Sequence, residues 1–187
     1  MNLACMRLGS YQTNCYIVWA DDAKTCVVID PGYQPEDVLE GVRGQGLTVE
    51  AILLTHGHFD HIGGVAELAK TGAEIVIHQE DAPMLSDPRL NASWLVGWNV
   101  TAPEATRTVR EGEEITYAGV TFTVLHTPGH TPGSVCYRAG EKLFTGDTLF
   151  HFGYGRTDLP GGSMHQLAES LRRLQTAARE CEIYPGH

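Results

Sequence analysis

A short apolar run, Ala51-Ile52-Leu53-Leu54, leads directly into the segment Thr55-His56-Gly57-His58-Phe59-Asp60-His61. The run has the length and composition of a buried β-strand. In an extended segment the side chains of His56 and His58 point the same way, because alternate residues share a face. Imidazole and carboxylate groups without thiolate suit zinc, iron, manganese or cobalt. The sequence therefore predicts a metal site at the end of a strand.

Three further strand-like runs also lead into loops that carry histidine or aspartate. These loops are His126-Thr127-Pro128-Gly129-His130, Thr145-Gly146-Asp147 and Pro185-Gly186-His187. If the strands lie side by side, their carboxyl ends bring all these side chains to one edge of the fold. The pattern predicts one metal-binding rim that is assembled from distant parts of the chain.

The hydrophobic pattern also predicts the secondary structure. Strands are predicted at residues 16–19, 26–29, 51–54, 74–77, 120–125, 134–137, 142–145 and 182–184. Helices are predicted over residues 35–44, over residues 64–70, and after Ser163, which forms a capping box with Gln166. This order predicts a single domain over residues 1–187, in the α/β class, with two stacked sheets flanked by helices.

The composition excludes several classes of protein. Hydrophobic residues make up 42% of the 187 residues and the formal net charge is -10. An acidic surface repels phosphate backbones, so no nucleic-acid partner is predicted. No apolar run approaches the ~18 residues that span a bilayer, and no signal peptide is recognisable, so no membrane partner is predicted. Five cysteines without a C-x-x-C pair are typical of small buried residues in a reducing compartment, which predicts a cytoplasmic protein.

The segment at residues 55–61 resembles the H-x-H-x-D-H motif of the metallo-β-lactamase superfamily. The resemblance covers nearly the whole chain. It continues through Asp30-Pro31-Gly32, residues 127–134, residues 146–150 and Pro185-Gly186-His187. It implies an αββα sandwich, four layers made of two mixed β-sheets flanked by helices, with the metals at the sheet edges.

The same resemblance implies two divalent metal ions, zinc in the first place, with iron or manganese as alternatives. One ion would be held by His56, His58 and His130. The other would be held by Asp60, His61 and His187, and Asp147 would bridge the two. The implied reaction is hydrolysis by a metal-bridging hydroxide, with Asp60 and Asp147 as the catalytic carboxylates.

Three positions narrow the resemblance to the glyoxalase II-like (hydroxyacylglutathione hydrolase-like) thioesterases. Asp147 stands where β-lactamases of this fold usually have cysteine. Residues 148–150 lack the tyrosine that usually follows this aspartate in quorum-signal lactonases. His58 stands where diiron flavoprotein reductases have glutamate. The predicted substrate is an S-acylglutathione or a related small-molecule thioester.

Two features depart from glyoxalase II. The chain stops at His187, so we expect no C-terminal glutathione-binding helical domain, and we expect a natural tail beyond His187 to be missing. The loop at residues 155–162 resembles compact bacterial glyoxalase II-like hydrolases and partly resembles persulfide dioxygenases. A mononuclear iron persulfide dioxygenase using His56, His130 and Asp147 is therefore the alternative. A metal-binding module without catalysis is a third hypothesis.

Weaker predictions concern the surroundings of the rim. Tyr154 and Arg156 are predicted to contact substrate, unless Arg156 pairs with Asp158. Trp94 and Trp98 lie in the proline-rich residues 80–107, which are predicted to form a long loop, and they either form a lip over the site or pack on the core. The remaining histidines each look isolated and are not predicted to be ligands, although a supporting role is allowed for one of them, His126. They are His78, His126, His151 and His165.

Overall fold

The computed structural model describes residues 1–187 and contains eleven strands and four α-helices. The strands are β1 Asn2–Leu8, β2 Thr13–Trp19, β3 Thr25–Ile29, β4 Thr48–Leu53, β5 Glu74–His78, β6 Arg107–Val109, β7 Glu114–Tyr117, β8 Val120–His126, β9 Val135–Ala139, β10 Lys142–Gly146 and β11 Glu182–Pro185. The helices are α1 Pro35–Gly44, α2 Phe59–Ile62, α3 Val65–Leu68 and α4 Met164–Glu180. None of them is long and apolar enough to cross a membrane.

The strands form two mixed sheets. The first has the order β1-β2-β3-β4-β5-β6, antiparallel from β1 to β3 and parallel from β3 to β6. The second has the order β11-β10-β9-β8-β7, in which only the pair of β10 and β11 is parallel. The strands β4, β8, β10 and β11 immediately precede the loops that carry the histidines and aspartates of interest.

The two faces of each sheet explain the continuous apolar runs of the sequence. Val28 packs with the cluster that lies between the first sheet and the helices α1 and α3, whereas its neighbour Val27 packs between the two sheets. Both faces of such a strand are buried, so successive residues are apolar. On the far side, Leu143 of β10 packs against Leu174 of α4. The layers are helix, sheet, sheet and helix, which confirms the predicted αββα sandwich.

All eight predicted strands are present, but β1, β6 and β7 were not predicted. β1 is an edge strand whose residues are mostly half-buried or exposed, so it has no apolar run. β6 has only three residues. β7 is joined to β8 by Ala118 and Gly119, whose φ angles are 50° and 73°. A two-residue hairpin loop of this type requires positive φ at both loop residues. Alanine rarely adopts positive φ, so the sequence Ala118-Gly119 does not indicate such a hairpin.

The helix predictions are correct except around α2 and α3. The helix at residues 35–44 is confirmed. The hydroxyl of Ser163 accepts a hydrogen bond from the Gln166 backbone nitrogen at 3.3 Å, as a cap of α4. The helix predicted over residues 64–70 is instead split into α3 and a 3-10 turn, and the end of the histidine motif forms the short helix α2 rather than a loop. Residues 80–107 contain only two 3-10 turns before β6 begins, so the predicted long loop is confirmed.

Candidate metal centre

The structure brings together all seven side chains that the sequence predicts as metal ligands. His56 and His58 follow β4, and Asp60 and His61 lie on α2. The other three follow β8, β10 and β11, and are His130, Asp147 and His187. Their assignment as ligands remains a prediction, but their convergence is a property of the fold.

The first group of donors consists of His56, His58 and His130, whose donor atoms lie within 4.8 Å of one another. Nδ1 of His58 lies 2.9 Å from Nε2 of His130. The three rings meet edge to face, with interplanar angles of 78° to 89°. Rings in this arrangement direct their in-plane lone pairs towards a common point.

The second group consists of Asp60, His61 and His187. Nε2 of His61 lies 3.3 Å from Nε2 of His187, and Nε2 of His187 lies 3.3 Å from Oδ2 of Asp60. Asp147 lies between the groups: its Oδ1 is 3.3 Å from His61 Nε2, and its Oδ2 is 3.5 Å from His130 Nε2. Oδ2 is also 3.7 Å from His187 Nε2, so the carboxylate contacts both groups, as a bridging ligand would.

Hydrogen bonds at Nδ1 leave Nε2 free on four of the five histidines. The rings of His130 and His187 donate to the backbone carbonyls of Arg156 and Tyr11, at 2.7 and 3.1 Å. His61 donates to Asp30 Oδ2 at 3.0 Å. A carbonyl or carboxylate oxygen can only accept, so Nδ1 carries the proton and Nε2 keeps its lone pair. The Nδ1 of His56 lies 3.1 Å from the Thr55 hydroxyl, which donates its proton to Asp30 and therefore accepts from His56.

The donor set fits divalent metal ions. Nε2 of His56 and Oδ1 of Asp147 are buried and have no hydrogen-bond partner, a costly arrangement that a cation would relieve. Bonds of about 2.0–2.1 Å to a tetrahedral zinc ion place neighbouring nitrogens about 3.3 Å apart. The shortest donor separations within the groups, 2.9 to 3.3 Å, are close to that spacing. The sequence prediction of a metal site and the packing of the side chains therefore agree.

Electrostatics favour the metal-binding states of His58 and Asp147, whereas at His61 the nearby carboxylates outweigh burial and raise the pKa, so a cation would have to displace a proton there. Burial lowers the pKa of His58 to about 3, so this ring is neutral at pH 7. Burial alone would raise the pKa of Asp147, but the adjacent His61 and the other imidazoles hold it well below its ordinary value. Neutral imidazole and ionised carboxylate are the forms that bind metals.

Several hydrogen bonds hold the end of the chain in the site. The hydroxyl of Tyr16 donates to the carbonyl of Pro185 at 2.6 Å, and the backbone nitrogen of Asn14 donates to the carbonyl of Gly186 at 2.8 Å. A Cβ atom on Gly186 would collide with Oδ1 of Asp147 and lie 2.7 Å from Cε1 of His61. Glycine at this position lets the backbone approach the carboxylate closely.

Two buried aspartates support the ligands and were not predicted to do so. Asp30 accepts from His61, and its carboxylate also accepts from the nitrogen and the hydroxyl of Thr55, at 2.8 and 2.7 Å. The sequence Asp30-Pro31-Gly32 indicated a turn and a family motif, but it did not indicate that Asp30 contacts a metal-binding histidine. Asp30 has φ of 50°, a left-handed conformation that aspartate tolerates better than most residues.

Asp81 is the other buried aspartate, and it ties the loops of the site together. It accepts from the backbone nitrogens of Gly57 and Gly133 at 3.0 and 2.6 Å, and from the hydroxyl of Thr131 at 2.6 Å. Burial raises the pKa of Asp81 to about 6. Nothing in the local sequence distinguishes Asp81 from a surface aspartate, because its partners are 24 to 52 residues away.

A cleft of about 600 Å³ opens beside the metal centre. Arg156 lines it, whereas Tyr154 is not part of its wall and is 51% exposed. The guanidinium of Arg156 is paired with Asp158 through two bonds of 2.6 and 2.8 Å, as the alternative interpretation of this loop expected. Contacts of Tyr154 and Arg156 with substrate remain predictions.

The segment predicted to form a lip over the site does line the cleft, but not through its tryptophans. Leu95 and Val96 line the cleft, and the flanking Trp94 and Trp98 do not. Trp98 instead packs edge-on against an aromatic group, with ring centroids 5.5 to 6.2 Å apart: Tyr11, Tyr33 and Phe59. This contact holds the segment next to α2.

The prediction that the remaining histidines are each isolated is wrong for two of them. The rings of His78 and His126 are stacked, with centroids 4.1 Å apart and planes 13° apart. The ring of His126 donates to the carbonyl of Pro132 at 2.9 Å rather than to any of the seven predicted ligands. His151 is exposed in its loop, and His165 lies at the surface, 3.8 Å from Glu169.

A seven-residue His and Asp centre at the edge of an αββα sandwich defines a superfamily of metal-dependent hydrolases. The family model for the metallo-beta-lactamase superfamily matches residues 8–187, and the chain belongs to that superfamily.

Two relatives are similar over almost their whole length. The chain is 37% identical to the hydroxyacylglutathione hydrolase GloC of Haemophilus influenzae, covering 100% of this chain and 91% of the relative. It is also 37% identical to the probable metallo-hydrolase YqgX of Bacillus subtilis, covering 97% of this chain and 88% of the relative.

Two crystal structures have the same fold at a similar level of identity. The structure of the BLEG-1 B3 metallo-beta-lactamase is 38% identical, with a TM-score of 0.95, covering 100% of this chain and 91% of that one. The structure of TTHA1623 in a di-iron-bound form is 38% identical, with a TM-score of 0.87, covering 98% of this chain and 91% of that one.

Proposed function

We propose that this chain is a binuclear metal-dependent thioester hydrolase of the hydroxyacylglutathione hydrolase type. One observation carries the proposal: two groups of three donors, with Asp147 between them, lie beside a cleft that is open to a small molecule and whose wall includes donors from both groups. The identity of 37% to GloC supports thioesters as the substrate class. Zinc or iron suits this donor set, and the di-iron form of the related TTHA1623 supports iron as well as zinc.

The residues of the site have separate roles in such a reaction. When bound, two divalent ions would lower the pKa of water towards about 7 and polarise the thioester carbonyl. The first ion would be held by His56, His58 and His130. The second would be held by Asp60, His61 and His187, with Asp147 between the two.

Asp60 is the carboxylate best placed to handle a proton. It lines the cleft, and its Oδ2 lies 3.4 Å from the Thr13 hydroxyl and 3.3 Å from His187 Nε2. We propose that it orients the attacking water. The water oxygen bonds to the carbonyl carbon, the carbon–sulfur bond breaks, and the departing sulfur takes up the proton that the water has lost.

The proposal is tested with purified full-length protein loaded with zinc or iron. Thiol release from S-lactoylglutathione and from uncharged acyl thioesters is measured together with the metal content. Two metals per chain and thiol release are expected, both lost in Asp147→Asn. One iron per chain with oxygen consumption would instead favour the persulfide dioxygenase. If the metal-loaded protein releases no thiol from any thioester, the proposed activity is wrong.

A second candidate activity is β-lactam hydrolysis. The match to the BLEG-1 B3 metallo-beta-lactamase, with 38% identity and a TM-score of 0.95, is the observation that favours it. The aspartate at position 147, where cysteine is usual in β-lactamases of this fold, argues against it. A chromogenic cephalosporin added to the same assays decides between them, because a higher kcat/KM for the cephalosporin than for every thioester would replace the first proposal.

A further inference from the structure

The wall of the cleft beside the metal centre is largely apolar. Its apolar side chains come from four parts of the chain and include Tyr11, Phe59, Leu95, Val96, Phe150 and Leu159. Leu95 is 50% exposed and Val96 is 43% exposed. Large apolar side chains that remain exposed on the wall of a cleft indicate a binding surface for an apolar group.

The apolar wall is held rigidly. Leu95 and Val96 lie on the 3-10 turn Ser93–Val96. The fully buried amide of Asn91 donates to the carbonyls of Met84 and Val100, both at 2.9 Å, and so closes the base of this segment. The packing of Trp98 on Phe59 fixes the other end, at a centroid distance of 5.9 Å. The wall is therefore part of the folded structure, ready to receive a ligand.

The cleft offers no free lysine or arginine side chain to an anionic substrate. Apart from histidines, the lining contains one cationic side chain, Arg156, and both of its bonds to Asp158 are already formed. Asp60 and Asp147 also line the cleft, but bound metal ions would neutralise their charges, so the relevant feature is the absence of a free cationic side chain. The thiol part of a glutathione thioester has two carboxylates and one ammonium group, and neither carboxylate would find a free lysine or arginine partner in this cleft. Burial of unpaired charge is unfavourable.

We infer that the cleft is specific for thioesters whose acyl chain is apolar and whose thiol part is uncharged, in preference to glutathione thioesters. This inference rests on the proposed thioesterase function. Leu95 and Val96 are the residues that determine the specificity, through contact with the apolar part of the substrate.

The experiment compares matched thioesters in the metal-loaded full-length protein. Hexanoyl and acetyl thioesters of N-acetylcysteamine, which is uncharged, are compared with the same acyl thioesters of glutathione. We expect kcat/KM to be about 10-fold or more higher for hexanoyl than for acetyl, and for N-acetylcysteamine than for glutathione. Equal or faster turnover of the glutathione thioesters would overturn the inference.

Variants at position 95 test the wall itself. Leu95→Asn keeps the number and branching of the side-chain heavy atoms and replaces the methyl groups by polar ones, and it should reduce the preference for hexanoyl over acetyl about 10-fold. Leu95→Lys should raise the relative kcat/KM for the glutathione thioester. The control is Leu90→Asn, because Leu90 is a 39% exposed leucine of the same segment that does not line this cleft. If Leu95→Asn changes the ratio no more than Leu90→Asn does, the inference is wrong.

A binding measurement separates failure of the inference from failure of the proposed function. The thioethers S-hexyl-N-acetylcysteamine and S-hexylglutathione cannot be hydrolysed, so calorimetric titration reports their affinities whether or not the protein is a thioesterase. Tighter binding of the uncharged thioether by about 10-fold, weakened in Leu95→Asn, supports the apolar cleft. Tighter binding of S-hexylglutathione would overturn it. Absence of any thioester hydrolysis contradicts only the proposed function.

Discussion

Two groups of histidines in this protein look alike by distance and differ in what they can do. In the metal centre, His56, His58 and His130 place donor atoms within 4.8 Å of one another, and so do His78, Glu80 and His126 elsewhere in the fold. The first three rings are nearly perpendicular, at 78° to 89°. The rings of His78 and His126, here called the stacked pair, are almost parallel, at 13°.

The difference shows that close imidazoles do not by themselves make a metal site. A lone pair on imidazole lies in the plane of its ring, and two parallel planes about 4 Å apart share no point where one ion could meet both lone pairs. The stacked pair also uses its polar atoms elsewhere: Nδ1 of His78 accepts from the Glu80 nitrogen at 3.3 Å, and Nε2 of His126 donates to the Pro132 carbonyl. In the metal centre four of the five rings are hydrogen-bonded through Nδ1 and keep the Nε2 lone pair for an ion, whereas His78 uses its Nδ1 lone pair and carries its proton on Nε2.

The largest expected effect comes from the same substitution made in each group. His58→Asn should lose bound metal and reduce kcat/KM for a thioester by on the order of 1000-fold or more, because the missing ligand belongs to the set that activates water. His126→Asn should retain the full metal content. Elemental analysis and thiol-release kinetics measure both. Equal loss of metal in the two variants would show that the stacked pair also binds metal, and the proposed difference between the two groups of histidines would be wrong.

The next largest effect concerns Asp81, which follows His78 of the stacked pair by three residues and supports the metal-centre loops. Its two oxygens accept from the backbone N–H groups of Gly57 and Gly133. In Asp81→Asn one of these oxygens becomes an NH2 group, which cannot accept, so one of the two backbone N–H groups loses its hydrogen bond. We expect the free energy of unfolding to fall by about 2–3 kcal/mol. Urea denaturation measures this, with the exposed neighbour Glu80→Gln as the control. A loss below that of the control would mean that the bonds of Asp81 contribute nothing to stability.

Asp30→Asn should weaken metal binding without removing a predicted ligand. The amide nitrogen would replace an oxygen that accepts from His61 or Thr55, so the orientation of His61 would no longer be fixed. Such supporting carboxylates typically change metal affinity by about 10–100-fold. Competition with a chelator measures the affinity, and Asp37→Asn on the exposed face of α1 is the matched control. Unchanged affinity in Asp30→Asn would contradict the supporting role.

The comparison also shows what could be predicted from sequence. The ligands could be predicted because they follow strand ends, and strand ends on one edge of a sheet converge whatever the details of packing. The strands β3 and β4 could be predicted because burial on both faces makes them continuously apolar.

What could not be predicted depends on contacts between distant segments. His78 ends β5 in one sheet and His126 ends β8 in the other, so their stacking follows from how the sheets pack. Asp30 and Asp81 look like turn and surface residues until their partners are known. The cleft is lined by Leu95 and Val96 rather than by the neighbouring tryptophans, because the orientation of a 3-10 turn has no periodic signature in the sequence.

The smallest expected effect is a dependence of stability on pH that comes from the stacked pair. Burial lowers the pKa of His78 to about 4, with further lowering by His126 and Arg110 and an opposing contribution from Glu111. In the unfolded chain His78 has an ordinary pKa near 6.5, so between about pH 6.5 and pH 4 the unfolded state binds more protons than the folded state. The contribution of His78 to stability is therefore complete above about pH 6.5 and is lost as the pH falls towards 4.

Replacing His78 removes this contribution and leaves the pH dependence of the metal ligands in place. We expect the stability of the wild-type protein to fall between pH 7.5 and pH 5 by about 1–2 kcal/mol more than that of His78→Gln, measured by urea denaturation at both pH values. His165→Gln is the control, because the side chain of His165 is 83% exposed on α4 and should leave the pH dependence unchanged. If His78→Gln and the wild-type protein lose the same stability, the stacked pair does not titrate with folding. The orientation of the rings would then be the remaining difference between the stacked pair and the histidines of the metal centre.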